Sequence, residues 1–152
     1  MTRTQNRGRE SAAAATSQLL TRDMGASEAE DSDLRDQAYA VLREAFIDKR
    51  VTRRVDRVGR TGKRFKFAFG VYLRDHVALV DTVTPSPISV SSRFTAFSAV
   101  DARSYEGAFV THNVSLAPED AGLLTKVADV VPLGALVAHV EAKSAARARQ
   151  PS

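Results

Sequence analysis

Apolar and polar residues alternate along this chain with two different periods. Between Asp31 and Asp48, Leu34, Ala38, Ala40, Val41, Ala45 and Phe46 recur at helical spacing and predict a first helix, with Asp31 or Ser32 as its cap. The period then drops to two. Val51 to Val58 is rich in β-branched residues, Gly59-Arg60-Thr61-Gly62 is a turn signal, and Lys63 to Leu73 alternates. On that second strand Phe65, Phe67, Phe69, Val71 and Leu73 fall on one side, and Arg64, Lys66, Ala68, Gly70 and Tyr72 on the other. Ala68 and Gly70 lack bulk, which leaves room for a helix over that end. Arg74-Asp75 turns the chain into a third strand, His76 to Val83, whose two apolar faces predict cover on both sides.

Thr84 to Pro87 carries two prolines and ends this run of strands. Ser89 to Val100 reads as a helix that turns Val90, Phe94 and Phe97 inward, with Ser89, Ser91 and Ser92 as its cap. Gly107 to His112 predicts a fourth strand. Pro118 to Ala128 predicts a helix, with proline in its first turn and Glu119 and Asp120 at its positive end. Val130 to Leu133 is a fifth strand, and Leu133 to Arg147 a closing helix built on Leu136, Val137 and Val140. The order α-β-β-β-α-β-α-β-α belongs to an α+β (mixed α/β) domain. Its core is a three-stranded antiparallel meander, extended by one or two strands and covered by helices. Residues 1–30 read as a flexible arm, 31–147 as a single globular domain, and 148–152 as a C-terminal tail.

Composition narrows the class. The chain has 152 residues, 43% of them hydrophobic and 26% charged, a profile that excludes wholly disordered and fibrous proteins. It has no cysteine, so disulfides, thiolate metal sites and a cysteine nucleophile are excluded. No apolar run of membrane-spanning length occurs, and none of signal-peptide length follows Arg3, Arg7 and Arg9, so a cytoplasmic protein with no membrane partner is expected. Seventeen arginines against five lysines, beside abundant Ala and Val, point to a GC-rich bacterial or phage coding source.

The distribution of charge is more informative than its total. Arg43 to Lys66 holds ten basic side chains against three acidic ones, so a chain of net charge +4 carries an excess of seven there and a deficit of three elsewhere. Lys49, Arg50, Arg53, Arg54, Arg57, Arg60, Lys63, Arg64 and Lys66 lie on the first hairpin and its approach. Arginine bonds phosphate oxygens in pairs, so this hairpin is a candidate contact for a DNA or RNA backbone. On that expectation, charge reversal of Arg53, Arg54 and Arg57 abolishes binding without unfolding the domain. A solvated edge hairpin, or a dock for an acidic protein partner, fits the same pattern. The acidic stretch Glu28 to Asp36 is one such partner, within the chain or across a dimer.

Candidate chemistry is sparse. His76, His112 and His139 fit no ligand spacing. No G-x-S-x-G or S-x-x-K surrounds the serines. Gly59 to Lys63 lacks the phosphate-loop spacing and joins two strands. Asp81, on a mostly apolar face, requires a partner, either backbone amides or an arginine. The succession of elements from Asp31 to His112 resembles the core of the PD-(D/E)xK nuclease superfamily. That resemblance implies an acid near the second strand and a (D/E)-x-K on the third, which together hold a divalent metal and position a water. This chain has Asp81-Thr82-Val83 on the third strand, without the lysine, and no acid within the second. Asp75 lies in the turn after it, Glu44 is a possible accessory acid, and Lys63 or Lys66 a migrated lysine.

These features imply no catalytic set, no metal and no cofactor. The leading expectation is a small non-enzymatic nucleic-acid-binding protein that contacts phosphates through its basic hairpin. A protein-interaction or regulatory module of a phage or mobile element is the alternative, and a divergent metal-dependent nuclease relying on Asp81 or Glu44 the second.

Overall fold

The computed structural model describes residues 30–101 and 106–149. The expected N-terminal arm, up to residue 29, lies outside the described residues, as do residues 150–152. Helix α1 runs through residues 30–45, followed by β1 (Arg50–Val58), β2 (Arg64–Tyr72) and β3 (Val77–Thr82). Next come α2 (Pro87–Val100), β4 (Gly107–His112), α3 (Pro118–Thr125), β5 (Asp129–Pro132), a 3-10 turn (Leu133–Ala135) and α4 (Leu136–Arg149). The fold is α+β, with a five-stranded mixed sheet ordered β1-β2-β3-β4-β5. The first three strands form the antiparallel meander, while β4 joins β3 and β5 joins β4 in parallel.

Helices cover both faces. Ala38 and Leu42 of α1 and Leu136 and Val140 of α4 pack with Val51, Phe69, Val71, Ala78, Val80 and Phe109. Val90, Ala96 and Phe97 of α2 and Leu124 of α3 pack on the other face with Val55, Phe67, Leu79, Ala108 and Val110. The buried stripe of α1 is Leu34, Ala38 and Leu42, each one turn from the last; Ala40 and Ala45 are exposed. Residue 30 is already helical, so neither Asp31 nor Ser32 caps this helix. The cap of α2 is Ser86, whose hydroxyl accepts the Ser89 N–H at 3.1 Å ahead of Pro87. Ser89 instead uses its own hydroxyl to accept the Thr84 N–H at 3.0 Å. At its far end α2 stops at Asp101, in the left-handed region at φ 50°.

The uniform alternation expected of β2 is broken. Phe65 and Phe67 pack on the α2 side, but Phe69, Val71 and Leu73 pack on the α1 side. The partner strand turns over at the same level, with Val51 on the α1 side and Val55 on the α2 side. The turnover falls at Arg54, which adopts φ 61°, and at Ala68 opposite it, the one position where the register between Arg50↔Tyr72 and Val58↔Arg64 has no pair. One unpaired residue in each strand, left-handed Arg54 and Ala68 opposite it, keeps the register and swaps the faces. The space over Gly70 is accordingly taken by Val55, not by a helix: a Cβ at Gly70 would meet Val55 Cγ2 at 2.6 Å. β2 also outlasts its pairing with β3, which ends at Phe69↔Val80, so the outer hairpin from Val55 to Phe67 projects past β3 and leans on α2.

Gly70→Ala should cost about 1–3 kcal/mol in urea unfolding, because the added methyl overpacks against Val55. In the double variant with Val55→Ala the loss should fall short of the two single losses added together, since the smaller side chain clears the clash.

Candidate functional site

Where β2 and β3 part, a buried polar cluster joins three elements. Asp81, near the end of β3, is 5% exposed. Its Oδ2 accepts the Ala68 N–H at 3.2 Å, and its Oδ1 accepts the Thr82 N–H at 2.8 Å. Arg93 reaches it from the second turn of α2. Arg93 Nε lies 3.1 Å from Asp81 Oδ1 and donates to the Thr82 carbonyl at 2.6 Å. Arg93 Nη2 lies 3.3 Å from Asp31 Oδ2, at the start of α1. Asp31 accepts the Thr82 hydroxyl at 2.9 Å and pairs with Arg35 one turn along its own helix. Burial pushes the Asp81 carboxyl above the ordinary value of 3.8, while Arg93 and the two amides pull it back.

Asp81 thus takes the partners expected of it, backbone and arginine. The other two candidate acids stay away. Glu44 is thirteen residues from Asp31 along α1, about 20 Å. Asp75 precedes β3, six residues from Asp81, again about 20 Å. The acid that joins Asp81 is Asp31, and both carboxylates face one guanidinium. No group of three or more His, Asp or Glu among the described residues stands close enough to hold a metal ion. One signal for the pairing is present in the sequence: Arg93 is the single charged residue between Pro87 and Val100.

The nine basic residues of the hairpin separate into two groups. Most already have a partner inside the protein. Arg57 makes a two-pronged bond to Glu106, 2.9 Å on each arm, which raises its pKa further and holds it charged. Arg60 donates its backbone N–H to the Ala99 carbonyl and its side chain to Ser98, so the hairpin tip is fastened to the last turn of α2. Arg53 stacks 4.2 Å over Tyr39 and pairs with Asp36, placing one acid of the Glu28 to Asp36 stretch against the hairpin within one chain. Arg50 covers Tyr72 at 4.8 Å, Lys63 lies over Phe65, and Lys49 is 3.7 Å from Asp48.

Arg64 is 69% exposed and only 3.8 Å from Asp56, a loose pair. The side chains of Arg54 and Lys66 are exposed and make no hydrogen bond or ion pair among the described residues. Phe65 and Phe67 point to α2, so Arg64 and Lys66 lie on the opposite, α1-side face of the outer hairpin. Arg54 lies on the neighbouring edge strand, where Asp56 is opposite Lys66 and the exposed Val58 is opposite Arg64. The histidines remain outside this region. His139 sits 3.1 Å from the Ala135 carbonyl in α4, and burial at the end of β4 lowers the pKa of His112.

Two outcomes follow from this geometry. Arg93→Met leaves two carboxylates without their shared counter-charge and should cost about 3–5 kcal/mol at pH 7. The folded pKa of Asp81 is raised, so its unfavourable contribution is absent below about 3.8 and grows as pH rises through the folded value. Losing Arg93 raises that value further, so urea titrations should show the gap to the parent protein narrowing from pH 7 toward pH 4. Arg57→Ala should lower stability by about 1.5–3 kcal/mol, the worth of a charge-assisted pair, in the same assay.

No protein-family model matches the chain, and no curated protein matches it. Among solved structures it is similar to the crystal structure of a protein of unknown function, AF1548, at 10% sequence identity and a TM-score of 0.48 over 65% of this chain. The chain spans 58% of the length of that protein. No helix among the described residues is long and apolar enough to cross a membrane.

Proposed function

We propose that this chain is a non-enzymatic nucleic-acid-binding domain that contacts the phosphate backbone through Arg54, Lys66 and Arg64. The observation that carries the reading is the sorting of the hairpin's charges. Arg57 and Arg60 hold the hairpin down, and Arg53 and Arg50 cover tyrosines, while the side chains of Arg54 and Lys66 are exposed and make no hydrogen bond or ion pair among the described residues. Arg54 keeps this charge at φ 61°, a conformation that costs a non-glycine residue about 1–2 kcal/mol. Strain of this kind is tolerated where the surroundings impose it, and it concentrates at working surfaces. The likeness of element order to PD-(D/E)xK nucleases is part of the proposal. In that comparison Asp81 is answered by the guanidinium of Arg93, not by a lysine two residues on, which favours a binding role over a cleaving one.

The test is fluorescence anisotropy of labelled nucleic acid at about 50 mM salt, where phosphate contacts are strongest. Arg54→Glu/Lys66→Glu should weaken binding at least tenfold with the melting temperature held within a few degrees. Arg57→Ala should lower the melting temperature and leave the affinity within about twofold. Unchanged affinity in the double reversal would refute the proposed surface and favour the protein-interaction reading.

A further inference from the structure

Apart from the hairpin, we infer that Arg93 is the resident cation of the buried acid pair and closes that place to divalent metal ions. The resemblance to metal-dependent nucleases would put a metal at Asp81, so the oxygens there decide whether one fits. Three of them converge on one edge of the Arg93 guanidinium. Its Nε meets the Thr82 carbonyl at 2.6 Å and lies 3.1 Å from Asp81 Oδ1, and its Nη2 lies 3.3 Å from Asp31 Oδ2. Two carboxylates and a carbonyl are the hard oxygens that magnesium and manganese prefer. Magnesium bonds such oxygens at about 2.0–2.1 Å. The guanidinium already fills the space in front of them, and a second positive charge would stand against it in a poorly screened interior.

The other lone pairs of the two carboxylates are engaged as well. Asp81 Oδ1 accepts the Thr82 N–H, Asp81 Oδ2 the Ala68 N–H, and Asp31 Oδ1 the Thr82 hydroxyl, while Asp31 Oδ2 pairs with Arg35. A metal would have to displace these donors together with Arg93. Each displaced group would lose its partner where the Asp31 and Asp81 side chains are only 16% and 7% exposed. Charge is balanced too, because two arginines answer two carboxylates. The residues present therefore do not suit a divalent ion, and the obstacle is chiefly one side chain of α2.

Thermal melts at pH 7, with magnesium or manganese chloride as the only additive, test this. In the parent protein about 5 mM of either ion should move the melting temperature by less than about 1 °C. Arg93→Ala keeps the oxygens and clears the edge they face. The same manganese should raise its melting temperature by about 4 °C or more, and adding Asp81→Asn should abolish the rise. A rise in the parent protein that Asp81→Asn removes would overturn the inference. So would a folded Arg93→Ala that manganese leaves unmoved. If Arg93→Ala does not fold, the Arg93 Nε–H resonance of the parent protein decides: sub-stoichiometric manganese should leave it sharp, and selective broadening contradicts the resident-cation role. Neither measurement involves the hairpin, so the nucleic-acid reading stands or falls separately.

Discussion

The ion pair between Arg93 and Asp81 lies at the place where β2 and β3 stop pairing. As far as Phe69↔Val80, β2 and β3 are an ordinary antiparallel ladder. One residue later the Ala68 N–H goes to the Asp81 side chain instead of a backbone carbonyl, and the strands diverge. A carboxylate so deeply buried persists only with a counter-charge and hydrogen bonds on both oxygens. Arg93 supplies the charge, and the Ala68 and Thr82 amides supply the bonds. Through Asp31 the same guanidinium also fixes the start of α1. One side chain of α2 thus ties together three elements that are distant in the chain.

The rest of the architecture depends on that divergence. Because β3 leaves, the outer half of the β1-β2 hairpin loses its neighbour on one side and must bury its apolar residues elsewhere. It does so by turning over at Arg54 and laying Phe65, Phe67 and Val55 toward α2. The same turnover puts Arg64 and Lys66 on the face away from α2. Most of the basic segment is therefore tied to partners inside the protein. Some of its arginines are structural, Arg57 above all, and the functional reading rests on the few left over.

Much of this was legible in the sequence. The element order, the antiparallel meander and the need of Asp81 for backbone or arginine partners all follow from periodicity and from the cost of a buried charge. The turnover was not legible, because a left-handed residue in mid-strand is ordinarily marked by Gly or Asn, and here it is Arg54. Without that mark, five alternating apolar residues read as one face. The role of Asp31 was not legible either. An acid at a helix start is ordinarily a cap, and its true partners, Thr82 and Arg93, lie 51 and 62 residues away in sequence. The joining of β4 and β5 to the main sheet stayed open for the same reason: short parallel strands carry no local pairing signal.

The most direct test of this account is a double-mutant cycle on Asp81→Asn and Arg93→Met, read by urea unfolding at pH 7. If the buried pair is the joint on which the fold depends, each single change is costly and the two together cost less than their sum, with a coupling of about 2 kcal/mol or more. If the losses simply add, to within about 0.5 kcal/mol, Arg93 and Asp81 act independently and the joint lies elsewhere.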